Sequence, residues 1–164
     1  MCIRDRECYG RGCERVREDH ELLRLAERPL PDGPEITVLL ATHERRELLL
    51  RCLERFSRQL VPPGTLELVV IDDGSTDGTA ELGAALEPYV PLTFLHVEPG
   101  GASRARAAGL PRARGRLVLF VNDDTIPFPD TVRRHLEAHR ELAGRRAIVL
   151  GTFCLLYTSP SPRD

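Results

Sequence analysis

The sequence has no lysine, few aromatic residues and no long apolar run. All 23 basic residues are arginine, aromatic residues make up 5% of the chain, and the formal net charge is −2. The absence of lysine excludes a P-loop, because that motif ends in Gly-Lys-Ser or Gly-Lys-Thr. A near-zero net charge, with no aromatic residues among the clustered arginines, predicts no nucleic-acid partner. No apolar run approaches the ~20 residues that span a bilayer, so we expect no transmembrane segment.

The cysteines do not form a recognisable framework. There are 5 of them, an odd number at scattered spacings, which argues against a set of structural disulfides. The remaining composition is ordinary, because the 164 residues are 41% hydrophobic and 29% charged. These values predict one soluble globular domain.

The two ends of the chain carry related sequences that have no folding explanation. DNA that encodes residues 1–5 can encode Leu-Leu-Tyr-Thr, the sequence of residues 155–158, when it is read as its reverse complement in a shifted frame. This inverted repeat resembles the transposon-end and adapter sequences used to prepare sequencing libraries, and residues 159–164 continue it. We therefore expect residues 1–6 and 154–164 to be foreign, and the rest to be an internal part of a longer protein.

Between these ends the composition changes near residue 35. A charged segment at 14–28 predicts a short helix, and the proline-rich residues that follow complete a helix-and-linker region at 7–34. Five nearly continuous apolar runs then predict strands, at 36–41, 66–71, 92–97, 117–121 and 147–150. Continuous apolar runs are typical of strands covered on both faces, as in a parallel sheet.

Segments with helical features separate the predicted strands. Apolar residues recur at helical spacing from 48 to 56, and Ser75 or Asp77 can cap a second helix that reaches residue 86. A third helix is predicted at 102–113, and a fourth begins at Pro129 and Asp130. Alternating strands and helices at this spacing predict an α/β fold with a mostly parallel sheet flanked by helices.

Polar residues follow four consecutive predicted strands. Residues 42–45 follow the first, Asp72 and Asp73 follow the second, a glycine pair at 100–101 follows the third, and residues 122–125 follow the fourth. Ligands of open α/β sheets bind beyond the carboxyl ends of the strands. Two acidic pairs at one edge require a divalent cation or donor groups of a ligand. Together with nearby arginines, they suit a nucleoside diphosphate with Mg²⁺ or Mn²⁺.

Three sequence motifs occur in an informative order. They are VVIDDGSTDGT at 69–79, ARAAG at 105–109 and FVNDDT at 120–125. With this order and spacing, residues 36–153 resemble the amino-terminal, nucleotide-sugar-binding half of a family 2 glycosyltransferase. The resemblance implies a GT-A, Rossmann-like domain at 35–153, truncated here. It also implies metal-dependent, inverting transfer of a sugar from a nucleotide-diphospho-sugar donor to an acceptor hydroxyl, with a saccharide or lipid-linked acceptor.

The resemblance also implies roles for individual residues. Carried over by motif, the donor site comprises Thr42, Glu44, Asp72, Asp73, Arg106, Asn122 and Asp123, and the metal ligand is Asp124. The first four lie around the nucleobase, Asp123 holds the ribose, and Arg106 lies near the phosphates. Two positions depart from the family pattern, because Asn122 stands where aspartate is common and Ala107 where asparagine is common.

Some features lie outside what the resemblance can assign. The catalytic base of the family lies downstream of the metal motif, so it stays unknown and we expect the 164-residue polypeptide itself to transfer no sugar. We expect a cytoplasmic location, with the inner face of the membrane as an alternative. Two other functions stay open: a non-catalytic nucleotide-binding module, and a sugar-phosphate nucleotidyltransferase, although residues 42–45 lack the glycine-rich loop of the latter. His135 and His139 share a helix face but lack the glutamate of a zincin motif.

Overall fold

The computed structural model describes residues 33–86 and 91–151. The predicted foreign ends at 1–6 and 154–164 lie outside the described residues, and so does the predicted helix at 14–28. The described chain contains four strands, β1 (Ile36–Thr42), β2 (Leu66–Asp72), β3 (Leu92–His96) and β4 (Leu117–Asn122). Its α-helices are α1 (Arg46–Ser57), α2 (Thr79–Leu86), α3 (Ala102–Gly109) and α4 (Thr131–Glu141).

The four strands form one parallel sheet in the order β3-β2-β1-β4. In this register Thr42 lies beside Asp72, and Asp72 lies beside His96. On the other side of β1, Ala41 lies beside Asn122. The predicted α/β class with a parallel sheet is therefore confirmed. Because the strands are parallel, the loops that follow all four of them lie at the same edge of the sheet.

The core lies on both faces of the two central strands. Every residue of β1 and β2 is buried, as expected for continuous apolar runs in the middle of a parallel sheet. One face packs against α1 and α4, with Phe56 and Val132 fully buried there. The other face packs against α3 through Ala105. At Gly109 an added Cβ would collide with the Ile71 side chain, so α3 lies close against the sheet.

The predicted fifth strand is wrong. Residues 147–150 have no strand pairing, and the side chains of Ile148 and Leu150 are 89% and 86% exposed. Their apolar, β-branched composition indicates a preference for strand, but a strand forms only where a neighbouring strand accepts its backbone hydrogen bonds. Within the described residues, β4 pairs with β1 alone.

Two other expectations need correction. The helix predicted at 102–113 ends as an α-helix at Gly109 and continues as a 3₁₀ turn at Leu110–Arg112, because Pro111 has no N–H to donate to the preceding turn. Burial on both faces holds only for the central strands. The outer strand β4 leaves Phe120 54% exposed.

A buried carboxylate organises the amino end of the sheet. Glu67 accepts hydrogen bonds from the Thr37 hydroxyl at 2.6 Å, the Arg114 backbone N–H at 2.6 Å and the Gly115 N–H at 3.2 Å. The Arg114 guanidinium also contacts Glu67 Oε2 at 2.8 Å. Burial alone would raise the pKa of Glu67, but these hydrogen bonds and the arginine charge outweigh it and the pKa is lowered.

Candidate functional site

The turn after β1 is held in an unusual backbone conformation. Glu44 has a φ of +52°, which is uncommon for a residue with a side chain. Its N–H donates to the Ser75 hydroxyl at 2.8 Å, and its carboxylate accepts from the Thr76 N–H at 2.6 Å and hydroxyl at 3.0 Å. Glu44, which is predicted to lie near the nucleobase, is therefore hydrogen-bonded to the loop that follows β2. The two loops form one unit.

Asp72 is fully buried at the end of β2. Its Oδ1 accepts a hydrogen bond from the Ser75 N–H at 3.0 Å, and its Oδ2 lies 2.8 Å from His96 Nδ1. With both oxygens engaged and no exposed surface, Asp72 organises the loop after its own strand and contacts the end of β3. Sequence reasoning did not anticipate the partnership with His96, although the parallel register predicts that the strand ends meet.

Asp73 joins the same edge to the glycine loop after β3. Its Oδ1 accepts the Gly100 N–H at 2.8 Å, and its Oδ2 accepts the Gly101 N–H at 2.7 Å. Gly101 has a φ of +87°, a conformation that glycine adopts without strain. Each carboxylate oxygen has a further lone pair beyond these bonds. Asp73 can therefore hold this loop and still accept a hydrogen bond from a ligand.

The loop after β4 carries the second acidic pair. Asp123 is buried, and it accepts hydrogen bonds from the Thr42 hydroxyl at 2.8 Å and from Arg45 Nη1 at 3.2 Å. Asp124 has 52% of its side chain exposed, and its Oδ2 lies 3.5 Å from the same Arg45 nitrogen. Asn122 accepts a hydrogen bond from Arg106 Nη2 at 3.0 Å.

Two neighbours of this pair were missed or only partly understood from sequence. Cys52 is a buried core residue of α1, and its thiol lies 3.8 Å from the Asn122 carbonyl oxygen, beneath the acidic loop. Burial, followed by the charges of Asp123 and Asp124, raises the pKa of Cys52 to about 12, so the thiol keeps its proton. Arg45 received no role from sequence, although two adjacent carboxylates indicate that a cation should lie nearby.

The sequence-predicted site residues fall into three connected groups at one sheet edge. The first group is Glu44, Asp72 and Asp73 around the loop after β2; the second is Thr42, Asp123 and Asp124 around Arg45; the third is the Arg106–Asn122 pair. An open depression of about 400 Å³ lies beside Glu44 and Arg45 and is lined further by Asp77 and the start of α1. The ligand roles of these residues stay predictions.

The acidic pair suits a hard divalent cation that binds together with phosphates. Among residues 33–86 and 91–151 no three His, Cys, Asp or Glu side chains are grouped to hold a metal. Mg²⁺ commonly takes only one or two carboxylates from the protein and completes its shell with water and substrate phosphates. Asp124 offers an accessible carboxylate of this kind, and the guanidinium between Asp123 and Asp124 shows that the position accepts positive charge.

No helix of the described residues is both long enough and apolar enough to cross a bilayer.

Curated relatives are similar to this chain over most of its length. A validoxylamine A glucosyltransferase of Streptomyces hygroscopicus subsp. limoneus is 32% identical over 140 residues, which is 82% of this chain and 30% of that protein. The succinoglycan biosynthesis protein ExoO of Rhizobium meliloti is 37% identical over 108 residues, covering 63% of this chain and 29% of that protein. The chain thus spans about 30% of the length of these relatives.

Solved structures share the fold. Residues 1–349 of Staphylococcus aureus TarS in complex with UDP-GlcNAc have 27% identity and a TM-score of 0.61, covering 65% of this chain and 31% of that one. A mannosyltransferase of Pyrobaculum calidifontis in complex with GDP-Man and Mn²⁺ has 29% identity and a TM-score of 0.58, covering 72% of this chain and 37% of that one.

The match to a whole family agrees with the geometry of the sheet edge. Residues 37–153 match the family described as Glycosyl transferase family 2. This range contains β2, β3 and β4, all of β1 except Ile36, and every residue placed in the candidate site. The chain therefore belongs to glycosyl transferase family 2.

Proposed function

We propose that this chain forms the donor-binding part of an enzyme that transfers a sugar from a nucleotide-diphospho-sugar to an acceptor hydroxyl. The observation that carries the proposal is the convergence of Asp73, Asp123 and Asp124 with two arginines at the carboxyl edge of a parallel sheet. Carboxylates there accept hydrogen bonds from base and ribose groups, and arginines bind phosphate oxygens.

The nucleoside would lie against the loops after β1 and β2. In this arrangement Thr42, Glu44 and Asp73 surround the base, and Asp73 uses lone pairs that the glycine loop leaves free. Asp72 acts indirectly, because it is fully buried and holds the loop through Ser75. Asp123 is the candidate partner of the ribose hydroxyls.

The diphosphate would lie toward the loop after β4. Asp124 would hold Mg²⁺ or Mn²⁺, which when bound neutralises charge on the departing diphosphate. Arg106 is aligned by its hydrogen bond to Asn122, and its Nε has no hydrogen-bond partner within the described residues. We infer an inverting reaction, in which a base outside the described site deprotonates the acceptor hydroxyl.

The relatives indicate the range of donors and acceptors. Solved neighbours bind UDP-GlcNAc, or GDP-Man with Mn²⁺, and curated relatives include a succinoglycan biosynthesis protein and a poly(ribitol-phosphate) β-N-acetylglucosaminyltransferase. We therefore propose a saccharide or lipid-linked acceptor in cell-envelope polysaccharide synthesis, with the reaction in the cytoplasm or at the inner face of the membrane.

Titration calorimetry tests the proposed donor site. UDP, GDP or TDP is titrated into the chain with and without Mn²⁺, and we expect binding that depends on the metal. Asp124→Ala should abolish the metal-dependent part, because it removes the accessible carboxylate. Glu141→Ala, which removes an exposed carboxylate at the end of α4, is the matched control and should bind like the unaltered chain. Undiminished metal-dependent binding by Asp124→Ala would refute the metal assignment.

A further inference from the structure

We propose that Arg45 is the built-in counter-cation of the Asp123–Asp124 pair, and that its guanidinium leaves Asp124 for the donor diphosphate when the divalent cation and the nucleotide bind together. The inference rests on the proposed function and adds a role for a residue to which the family resemblance assigned none. It predicts that the metal alone binds weakly and that the nucleotide raises the affinity of the site for the metal.

The position of Arg45 is fixed on both sides by its neighbours. Glu44 is bonded through its backbone and carboxylate to Ser75 and Thr76, and the Arg46 N–H donates to Asp77 Oδ2 at 3.0 Å. The Arg45 side chain itself is 51% exposed. Its backbone is therefore anchored while its guanidinium is free to turn at the surface.

The two contacts of the guanidinium are unequal. Asp123 has only 6% of its side chain exposed and lies 3.2 Å from Arg45 Nη1, whereas Asp124 is 52% exposed and lies 3.5 Å from it. A buried carboxylate that loses its cation is costly, because water cannot replace the lost interaction. An exposed carboxylate is rehydrated at once. The contact with Asp124 is therefore the one that breaks.

Charge explains why metal and nucleotide should bind together. A divalent cation that reaches Asp124 alone arrives beside the Arg45 guanidinium, and the two positive charges repel at close range. A diphosphate removes this conflict, because it binds the metal and also accepts hydrogen bonds from the remaining N–H groups of the guanidinium. Arg45 thus weakens metal binding when no nucleotide is present and strengthens it when the nucleotide is bound.

Mn²⁺ binding measured by electron paramagnetic resonance tests this role without any sugar transfer. The chain is titrated with Mn²⁺ alone and then with Mn²⁺ and UDP or GDP. We expect Arg45→Gln to bind Mn²⁺ alone about tenfold more tightly than the unaltered chain, since a nearby positive charge is removed. The same variant should show a smaller gain in Mn²⁺ affinity when the nucleotide is added.

Three further variants define the outcome. Arg45→Lys keeps the charge and should bind Mn²⁺ alone as weakly as the unaltered chain. Arg51→Gln removes an exposed arginine from the same helix and should change neither titration. The gain of Arg45→Gln should disappear in the double variant Arg45→Gln/Asp124→Asn. Circular dichroism checks that each variant is folded.

The proposal is overturned if Arg45→Gln, folded, binds Mn²⁺ alone no more tightly than the unaltered chain, including the case in which neither binds it. It is also overturned if the nucleotide raises Mn²⁺ affinity equally in both. Failure of the proposed function looks different: the nucleotides then bind to no form of the chain, while the titration with Mn²⁺ alone still reports on Arg45.

Discussion

The two ends of the parallel sheet bury carboxylates in different ways. At the amino end, Glu67 has 3% of its side chain exposed and receives hydrogen bonds from Thr37, Arg114 and Gly115. At the carboxyl end, Asp123 is similarly buried, but its neighbour Asp124 is half exposed and lies 3.5 Å from a cation that both share. Glu67 already has a full set of hydrogen-bond donors, whereas the Asp123–Asp124 pair can accept hydrogen bonds from further donors.

This difference separates a structural carboxylate from one that is available to a ligand. Glu67 and Thr37 hold the segment that leads into β4, and an added Cβ at Gly115 would collide with the Thr37 backbone nitrogen. The charge of Glu67 is balanced within the protein, so it needs no ligand. Among the described residues, the two carboxylates after β4 share one ion-pair partner, Arg45. A bound divalent cation would add positive charge there, and ribose hydroxyls would add hydrogen-bond donors.

Removing the carboxylate at the amino end should have the largest effect on stability. Glu67→Ala leaves the Thr37 hydroxyl and the Arg114 backbone N–H without their acceptor, while the Gly115 N–H keeps its hydrogen bond to Thr37 Oγ1 at 2.9 Å. We expect the free energy of unfolding to fall by about 3 kcal/mol, since unsatisfied buried groups cost roughly 1–3 kcal/mol each and Arg114 itself can be rehydrated. Urea unfolding measures the change, with Glu141→Ala as the control. A loss below about 0.5 kcal/mol, typical of a surface substitution, would contradict this view.

The two aspartates after β4 should differ from each other without metal. Asp123→Asn places an amide against both the Thr42 hydroxyl and Arg45, and we expect a loss of about 1–2 kcal/mol in the free energy of unfolding. Asp124→Asn should change it by less than about 0.5 kcal/mol, because this side chain is half exposed. Thermal or urea unfolding in the presence of a chelator compares them. Equal losses would remove the distinction between a structural and an available carboxylate.

The smallest expected effect is a pH dependence at the amino end. The folded-state pKa of Glu67 is lowered from its ordinary value of 4.5, so ionised Glu67 stabilises the fold above the unfolded-state pKa. This contribution is lost as the pH falls through the folded-state pKa. The stability difference between the unaltered chain and Glu67→Gln should therefore be constant from pH 7 to about 5 and shrink below about 4.5. A difference that stays constant down to pH 3 would show that the charge of Glu67 contributes nothing.

The central sheet and the acidic loops were predictable because local sequence determines them. The runs of β1 and β2 are apolar apart from Thr37 and Glu67 near their starts and the polar residues at their ends, and they are buried on both faces. Asp72 and Asp73 follow directly, so their place at the sheet edge comes from strand direction alone. The segment 147–150 has the same composition but no pairing partner among the described residues. Its failure to form a strand therefore depends on tertiary context.

The contacts within the site were less predictable for a geometric reason. Arg45 and Asp123 are 78 residues apart, and Asp72 and His96 are 24 apart. Their meeting depends on strand order and on the direction of each side chain, which periodicity does not report. The sequence shows that charges of both signs exist near the strand ends, but it does not show which arginine faces which carboxylate.

The bonds from Asp73 to the backbone of Gly100 and Gly101 have a consequence for any redesign of the proposed donor site. Because two successive N–H groups must reach two oxygens of one side chain, the loop after β3 has little freedom in length, and an insertion next to Gly100 would detach at least one of them. Exchanging this loop with that of a relative should therefore succeed only when the loop after β2 is transplanted with it. The two loops constitute a single interchangeable module.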